Sequence, residues 1–264
     1  MTDLGKMNYF LGMEIYQCNV GIFISQKRYA LEVLKKFHME KCKPMTTPLV
    51  ANEKLSLHDS TSKVDASIYR SLIGSLLYLS ATRPNIMFAA SLLSRFMHSP
   101  SEAHYKAAKR VLRYIRGTTD YGLWFLKDES VDLEGYADSD WTGSENGAKS
   151  TSGYVFSFGS GVFSWNSKKQ DVVAQSSAEA EYISTATAAT IAIANNPVHH
   201  GRTKHIKVKY HAIREVVKSK EVSLEHCCSE KQIADIMTKA LSKGKFEVLR
   251  SKLGVSKKNL KEEC

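Results

Sequence analysis

Five carboxylates are placed where they could do chemistry. Asp138 and Asp140 lie in GYADSDW, Glu179 and Glu181 in SSAEAEY, and Asp235 in QIADIMTKAL. VDLEGYADSDW reads as a strand ending in acids, SSAEAEY as the start of a helix, and QIADIMTKAL as a further helix. Acids from separate elements, converging on hard cations, are what two-metal phosphodiester hydrolysis requires. Oxygen ligands hold Mg²⁺. Two ions about 4 Å apart would activate water and stabilise the leaving oxygen. Structural duties compete with this reading. Asp235 and Lys239 form an i,i+4 pair, Asp138 and Asp140 can cap a turn, and Glu179 completes an S-x-x-E capping box with Ser176. From spacing alone the structural duties are favoured.

The elements that must position these acids follow from pattern. Residues 8–25 read as two strands around a CNVG turn, with Ser25 capping a helix that carries Tyr29, Val33, Leu34 and Phe37 on one face. Residues 43–65 are polar, contain two prolines and read as a loop or linker. Three helices follow, at about 66–82, 84–97 and 101–116. The last carries an apolar stripe opposite a basic one of Lys106, Lys109, Arg110, Arg113 and Arg116. Such a stripe suits phosphate contact or a solvated face. In the second half, 152–159 and 162–168 read as hairpin partners around Gly-Ser-Gly, and 171–175 as a further short strand. A helix is predicted over 176–195, a basic amphipathic helix over 204–218, a strand over 222–226, a helix over 232–241, and a last helix closed by Gly254.

Composition bounds the class. The chain has 264 residues and a net charge of +10, which favours polyanionic partners such as nucleic acid. Its five cysteines are irregularly spaced and include no CxxC pair, so neither a zinc ribbon nor a disulfide framework is suggested. There is no apolar leader and no run of roughly 20 apolar residues. An intracellular protein, in cytoplasm or nucleus and not secreted, is expected. His199, His200, His205 and His211 cluster, but no cysteine stands beside them at ligand spacing. Packing or capping is favoured over zinc.

Several long stretches, in order, resemble the copia-type LTR retrotransposon Pol polyproteins. GYADSDW, KSTSGYVF, SWNSKKQ, SSAEAEY, NNPVHHGRTKHI and QIADIMTKAL resemble their ribonuclease H domain. MTDLGKMNYFLGMEI, GIFISQKRYALEVLKKF, YRSLIGSLLYLSATRPNIMFAASLLSRFM and HYKAAKRVLRYIRGT resemble the reverse transcriptase region before it. The resemblance implies an α/β fold, with a ribonuclease H-like mixed sheet flanked by helices and preceded by a mostly helical thumb or connection region. It divides the chain into the end of a palm (1–44), a linker (45–65), a helical thumb or connection (66–125) and a ribonuclease H-like domain (126–264). It implies two-metal hydrolysis of RNA in RNA–DNA hybrids, with Asp138, Glu181 and Asp235 as catalytic and Mg²⁺- or Mn²⁺-binding acids. Nucleic-acid contacts fall to the 101–116 stripe and to Arg202, Lys204 and Arg214. Polymerase activity is not expected, because the family's Y-x-D-D aspartates have no counterpart here.

One part of the family pattern is missing. The family carries a further acid, in a Cys-Asp-Asn motif on a central strand after the Glu181 helix. Here TATAAT runs directly into IAIANNP. The gap is roughly 30 residues, about one helix-plus-strand unit. Two consequences are expected: a sheet lacking a central strand, and hydrolysis that is lost or very weak because an acid is absent. A non-catalytic nucleic-acid-binding protein and a decayed gene product without function are the alternatives.

Overall fold

A computed structural model of the chain describes residues 5–57, 59–127, 132–141, 149–194, 217–218 and 223–258, with the backbone alone over 189–194. Its first sheet has five antiparallel strands in the order β1-β2-β3-β4-β8. These are β1 (Tyr9–Phe10), β2 (Met13–Cys18), β3 (Gly21–Ser25), β4 (Tyr121–Leu126) and β8 (Val255–Lys257). The second has three antiparallel strands, β5 (Leu133–Asp140), β6 (Thr151–Phe158) and β7 (Gly161–Lys169), in sequence order. The expected mixed sheet is therefore replaced, among the described residues, by two antiparallel ones. Parallel pairing needs a crossover returning from the far end of a helix, and the stretch after the 177–194 helix lies mostly outside the described residues.

Six α-helices are described: α1 (Lys27–Lys36), α2 (Ala66–Leu79), α3 (Met87–Ser94), α4 (Glu102–Arg116), α5 (Ser177–Ala194) and α6 (Lys243–Lys252). Short 3-10 turns occupy Pro84–Ile86 and Ile233–Met237. Among the described residues one continuous core joins all of these except α5, running from Leu34 through Leu72, Leu112 and Leu123 to Val155, Met237, Phe246 and Val255; Ala186 of α5 packs separately with Tyr182. Ser25 does not cap α1. It is the buried last residue of β3, and the Arg28 N–H donates instead to Glu14 Oε1 on β2 at 3.0 Å. Three further predictions fail. Residues 171–175 and 223–226 form no strand, and the helix expected over 232–241 shrinks to the 3-10 turn. There the Asp235 carbonyl accepts both the Thr238 and Lys239 N–H groups, which tightens the turn. The strands at 121–126 and 255–257 carry no strong sequence signal, and β4 lies where only helices were expected.

Among the described residues of 43–65 there is no helix or strand, as the polar, proline-bearing sequence suggests, but the segment from about 40 onward is packed down. Arg110 Nη2 donates to Thr47 Oγ1 (3.0 Å), Arg113 Nε to Lys43 O (2.8 Å) and Arg116 Nε to Glu40 O (2.6 Å). The basic stripe of α4 thus has a structural task, holding this segment against the helix. Lys109 lies 4.5 Å from the Tyr105 ring, and Lys106 is exposed.

The same segment is fixed at its far end by a buried histidine. Ser101 and His104 cap α4 reciprocally: His104 N–H reaches Ser101 Oγ (3.4 Å) and the Ser101 N–H reaches His104 Nδ1 (3.1 Å). The imidazole stacks on Phe96 at 3.8 Å, with Nε2 2.9 Å from Ser56 O. Ser101 Oγ donates to Asp59 Oδ2 at 2.5 Å. This Ser, His and Asp grouping resembles a nucleophile set, but Ser101 and His104 are fully buried, so it serves as a cap. Burial lowers the His104 pKa, and Lys63 adds to that, against the Ser56 carbonyl and Asp59, which raise it. The unfolded chain therefore takes up this proton first. Stability is fully present above the ordinary histidine value of about 6.5 and is lost as pH falls through the lowered folded value. Thermal melts from pH 7.5 to 5 should show this loss, and a His104→Gln variant should melt lower throughout but with a flatter pH profile. A variant with an unchanged slope would remove His104 as the cause.

Candidate functional site

Asp138 and Asp235 meet where the Ile233–Met237 turn sits on the second sheet. Asp138 is cross-strand from Gly153. That glycine is the seat: a Cβ there would stand 2.5 Å from Met237 Cβ and 2.9 Å from Thr238 Cγ2. The turn can approach β5 and β6 only over a residue without a side chain. Gln232, at the turn's N-cap, donates to the Ala137 carbonyl at 3.0 Å. Behind the strand, α5 packs through buried Ala180 and Ser184, and Ser184 Oγ donates to Asp138 O at 2.7 Å.

The electrostatics are set by two lysines. Asp235 is 2% exposed. Lys239 Nζ lies 2.8 Å from its Oδ1 and Lys245 Nζ contacts its Oδ2. Thr238 Oγ1 donates to Asp138 Oδ2, which is also 3.7 Å from Lys239 Nζ. Burial raises the Asp138 pKa, and Asp235 adds to this against Thr238 and Lys239. Burial acts to raise Asp235 too, but its bonds from Lys239 and Lys245 outweigh that and hold it below the ordinary value. Asp140, two residues along β5, is raised by burial and by Asp138 and Asp235, with Lys239 and Arg95 opposing.

The structure brings Asp138 and Asp235 together and leaves Glu181 exposed on α5, in none of these contacts. Glu179 does the capping work foreseen for it, though one residue displaced: its carboxylate accepts the Gln175 N–H (2.7 Å) while Ser176 Oγ accepts the Glu179 N–H (3.1 Å). Among the described residues no group of three or more His, Cys, Asp or Glu side chains could hold a metal ion. As arranged, the site does not fit a two-ion centre: ammonium groups take both oxygens of Asp235, and Thr238 with Lys239 engages Asp138. Arg202, Lys204, Arg214 and the four clustered histidines lie outside the described residues, as does nearly all of the helix expected over 204–218. Sequence reasoning missed Gly153, Thr238 and Lys245. The T-K pair following A-D-I-M signalled Thr238, whereas Lys245 sits on the next helix and left no local trace.

No described helix is long and apolar enough to cross a membrane. A mixed α/β chain with an acid on the first strand of a three-stranded antiparallel sheet is compatible with a ribonuclease H-like fold. Over 286 aligned positions, covering 97% of the chain, it is 38% identical to the retrovirus-related Pol polyprotein from transposon RE1 of Arabidopsis thaliana. It is 35% identical over 292 positions to that from transposon TNT 1-94 of Nicotiana tabacum. The chain belongs to the retrovirus-related Pol polyproteins of copia-type transposons. It spans 20% and 22% of those two relatives. It is also 42% identical over 183 residues to the uncharacterized mitochondrial protein AtMg00810 of Arabidopsis thaliana, covering 69% of this chain and 75% of that one. No family model and no solved structure matches. Both Pol alignments are longer than the 264 residues of the chain, so these relatives carry residues that have no counterpart here.

Proposed function

We propose that this is a retrotransposon-derived, ribonuclease H-like protein that binds nucleic acid, RNA–DNA hybrid included, without hydrolysing it at a useful rate. One observation carries the reading: both carboxylate oxygens of Asp235 are ion-paired to Lys239 and Lys245. Two-metal hydrolysis needs carboxylates open to cations, and these acids are already neutralised. The exposed position of Glu181 and the excess length of the Pol alignments support the same conclusion. A missing helix-plus-strand unit near residue 190, carrying one more acid, accounts for the excess. It also accounts for β5 lying at a sheet edge among the described residues. Mg²⁺ or Mn²⁺ binding is correspondingly weakened. The net charge of +10 supports a polyanionic partner.

The test is cleavage of a labelled RNA–DNA hybrid in Mn²⁺ by this chain and by an Asp138→Asn variant. Neither should cut above background, and both should bind the hybrid with an affinity that falls with salt. Cutting by the unaltered chain but not by Asp138→Asn would overturn the proposal.

A further inference from the structure

Adjacent thiols stand where the chain enters the turn that carries Asp235, and the acid site does not use their sulfurs. Cys227 and Cys228 are consecutive, and both are free. Cys228 is exposed and Cys227 half-buried. Donors gather on the Cys228 carbonyl. The Lys231 and Gln232 N–H groups reach it at 2.9 and 3.1 Å, and the Cys227 thiol lies 3.5 Å away. From there the contacts run to the acids. Gln232 Nε2 donates to the Ala137 carbonyl on β5 at 3.0 Å, and its Oε1 accepts the Ala234 N–H at 3.2 Å. Lys245 Nζ donates to Ser229 O at 3.2 Å and also engages Asp235.

We propose that Cys227 and Cys228 form a reversible redox site: hydrogen peroxide closes them into a disulfide, and closure loosens the Ile233–Met237 turn. The chemistry needs neither nucleic acid nor metal. Exposed Cys228 meets the oxidant first. Its sulfur attacks a peroxide oxygen, the O–O bond breaks, and a sulfenic acid and a water form. The Cys227 sulfur then attacks the Cys228 sulfur. The S–S bond forms, the S–O bond breaks, and a second water leaves. The thiols together lose two electrons and two protons, and the peroxide is reduced to two waters. Burial raises the Cys227 pKa, and Cys228 and Asp235 add to this, against Lys231 and Lys252. Cys227 is therefore the poorer first nucleophile, and its adjacency suits it to the second step.

Closure distorts the backbone. Consecutive Cα atoms stand about 3.8 Å apart across a trans peptide, whereas disulfide-bonded Cα atoms usually stand about 4.4–6.8 Å apart. The peptide unit between the cysteines must turn to admit the bond, and the Cys228 carbonyl turns with it. Its bonds from Lys231 and Gln232 then lengthen, and the Ser229 carbonyl shifts beside Lys245. The same strain makes the bond easy to reduce, so the site resets.

The test treats the full chain with hydrogen peroxide, with glutathione in a parallel tube as control, and then alkylates the remaining thiols. Trypsin releases residues 221–231, EVSLEHCCSEK, whose only cysteines are Cys227 and Cys228. A peptide lighter by a pair of hydrogens and free of alkyl groups is expected, and dithiothreitol should restore both alkylatable thiols. Neither Cys227→Ser nor Cys228→Ser should give that product. Hydrogen exchange is the second readout. The Lys231 and Gln232 amides should exchange roughly tenfold faster in the oxidised chain, as for one hydrogen bond lost, and the Cys227→Ser chain should show no such change. If glutathione is oxidised while the peptide keeps both thiols, the proposal is overturned. Cys228 linked to any other cysteine, or converted to sulfonic acid, would overturn it too. A closed disulfide with unchanged exchange would overturn its hold on the turn.

Discussion

Asp235→Asn is expected to lower stability by about 2–3 kcal/mol at neutral pH. Asparagine keeps the shape but loses both charge-assisted bonds, to Lys239 and to Lys245. Removing one partner of a fully buried pair costs about 3–5 kcal/mol. Here the two lysines are 39% and 36% exposed, so they regain water and the cost is discounted. For a chain of this size the melting temperature should drop by roughly 5–10 °C. The sign with pH follows from the lowered Asp235 value. Its contribution is present above the ordinary carboxylate pKa of about 4 and is lost as pH falls through the lower folded value. Unaltered chain and variant should therefore converge in acid. EDTA should leave both melting temperatures unchanged, because ammonium groups engage both Asp235 oxygens. A variant as stable as the parent at pH 7 would mean that the lysines do not hold the turn.

Gly153→Ala should be comparably damaging, through sterics alone. The added methyl would meet Met237 Cβ at 2.5 Å and Thr238 Cγ2 at 2.9 Å. Both belong to a turn fixed by its own hydrogen bonds, so neither can swing aside as a flexible side-chain end would. Overpacking of this kind costs about 1–3 kcal/mol. The turn should lift from β5, the Thr238–Asp138 bond should break, and the Thr238 amide should exchange faster with solvent. Gly74, inside α2, is the contrasting position, with nothing within 4 Å of a new Cβ. Gly74→Ala should raise stability by about 0.5–1 kcal/mol, because glycine is costly within a helix. If both substitutions proved neutral, the close seating of the turn on Gly153 would be wrong.

How much of this was legible in the sequence depends on how local each cause is. The apolar stripe of α4, its stop at Gly117 and the β6–β7 hairpin turn are written in neighbouring residues, and the structure has them near the expected positions. The Asp235–Lys239 pair was likewise visible as an i,i+4 spacing and is present at 2.8 Å. β4 and β8 were not visible: YGLWFL does not alternate, and three residues at 255–257 carry no period. Nor could the stripe on α4 reveal its own task. Periodicity finds a basic face, but three of its arginines meet acceptors some 60–80 positions away in the chain. The acids were found because their types are unusual for their elements. Their neutralisation was not, because half of it comes from Lys245 on another helix.

The last feature concerns time rather than space. β8 pairs with β4 across more than a hundred residues, and Trp124 Nε1 donates to Lys257 O at 3.1 Å. The first sheet, begun at Tyr9, is therefore unfinished until Val255–Lys257 have been synthesised. Contacts so distant in sequence slow folding. Until they form, β4 keeps one edge open, and an unpaired strand edge on a partly folded chain invites association with another copy. The nascent chain should depend on chaperones until β8 emerges, and refolding from denaturant should be slow and sensitive to concentration.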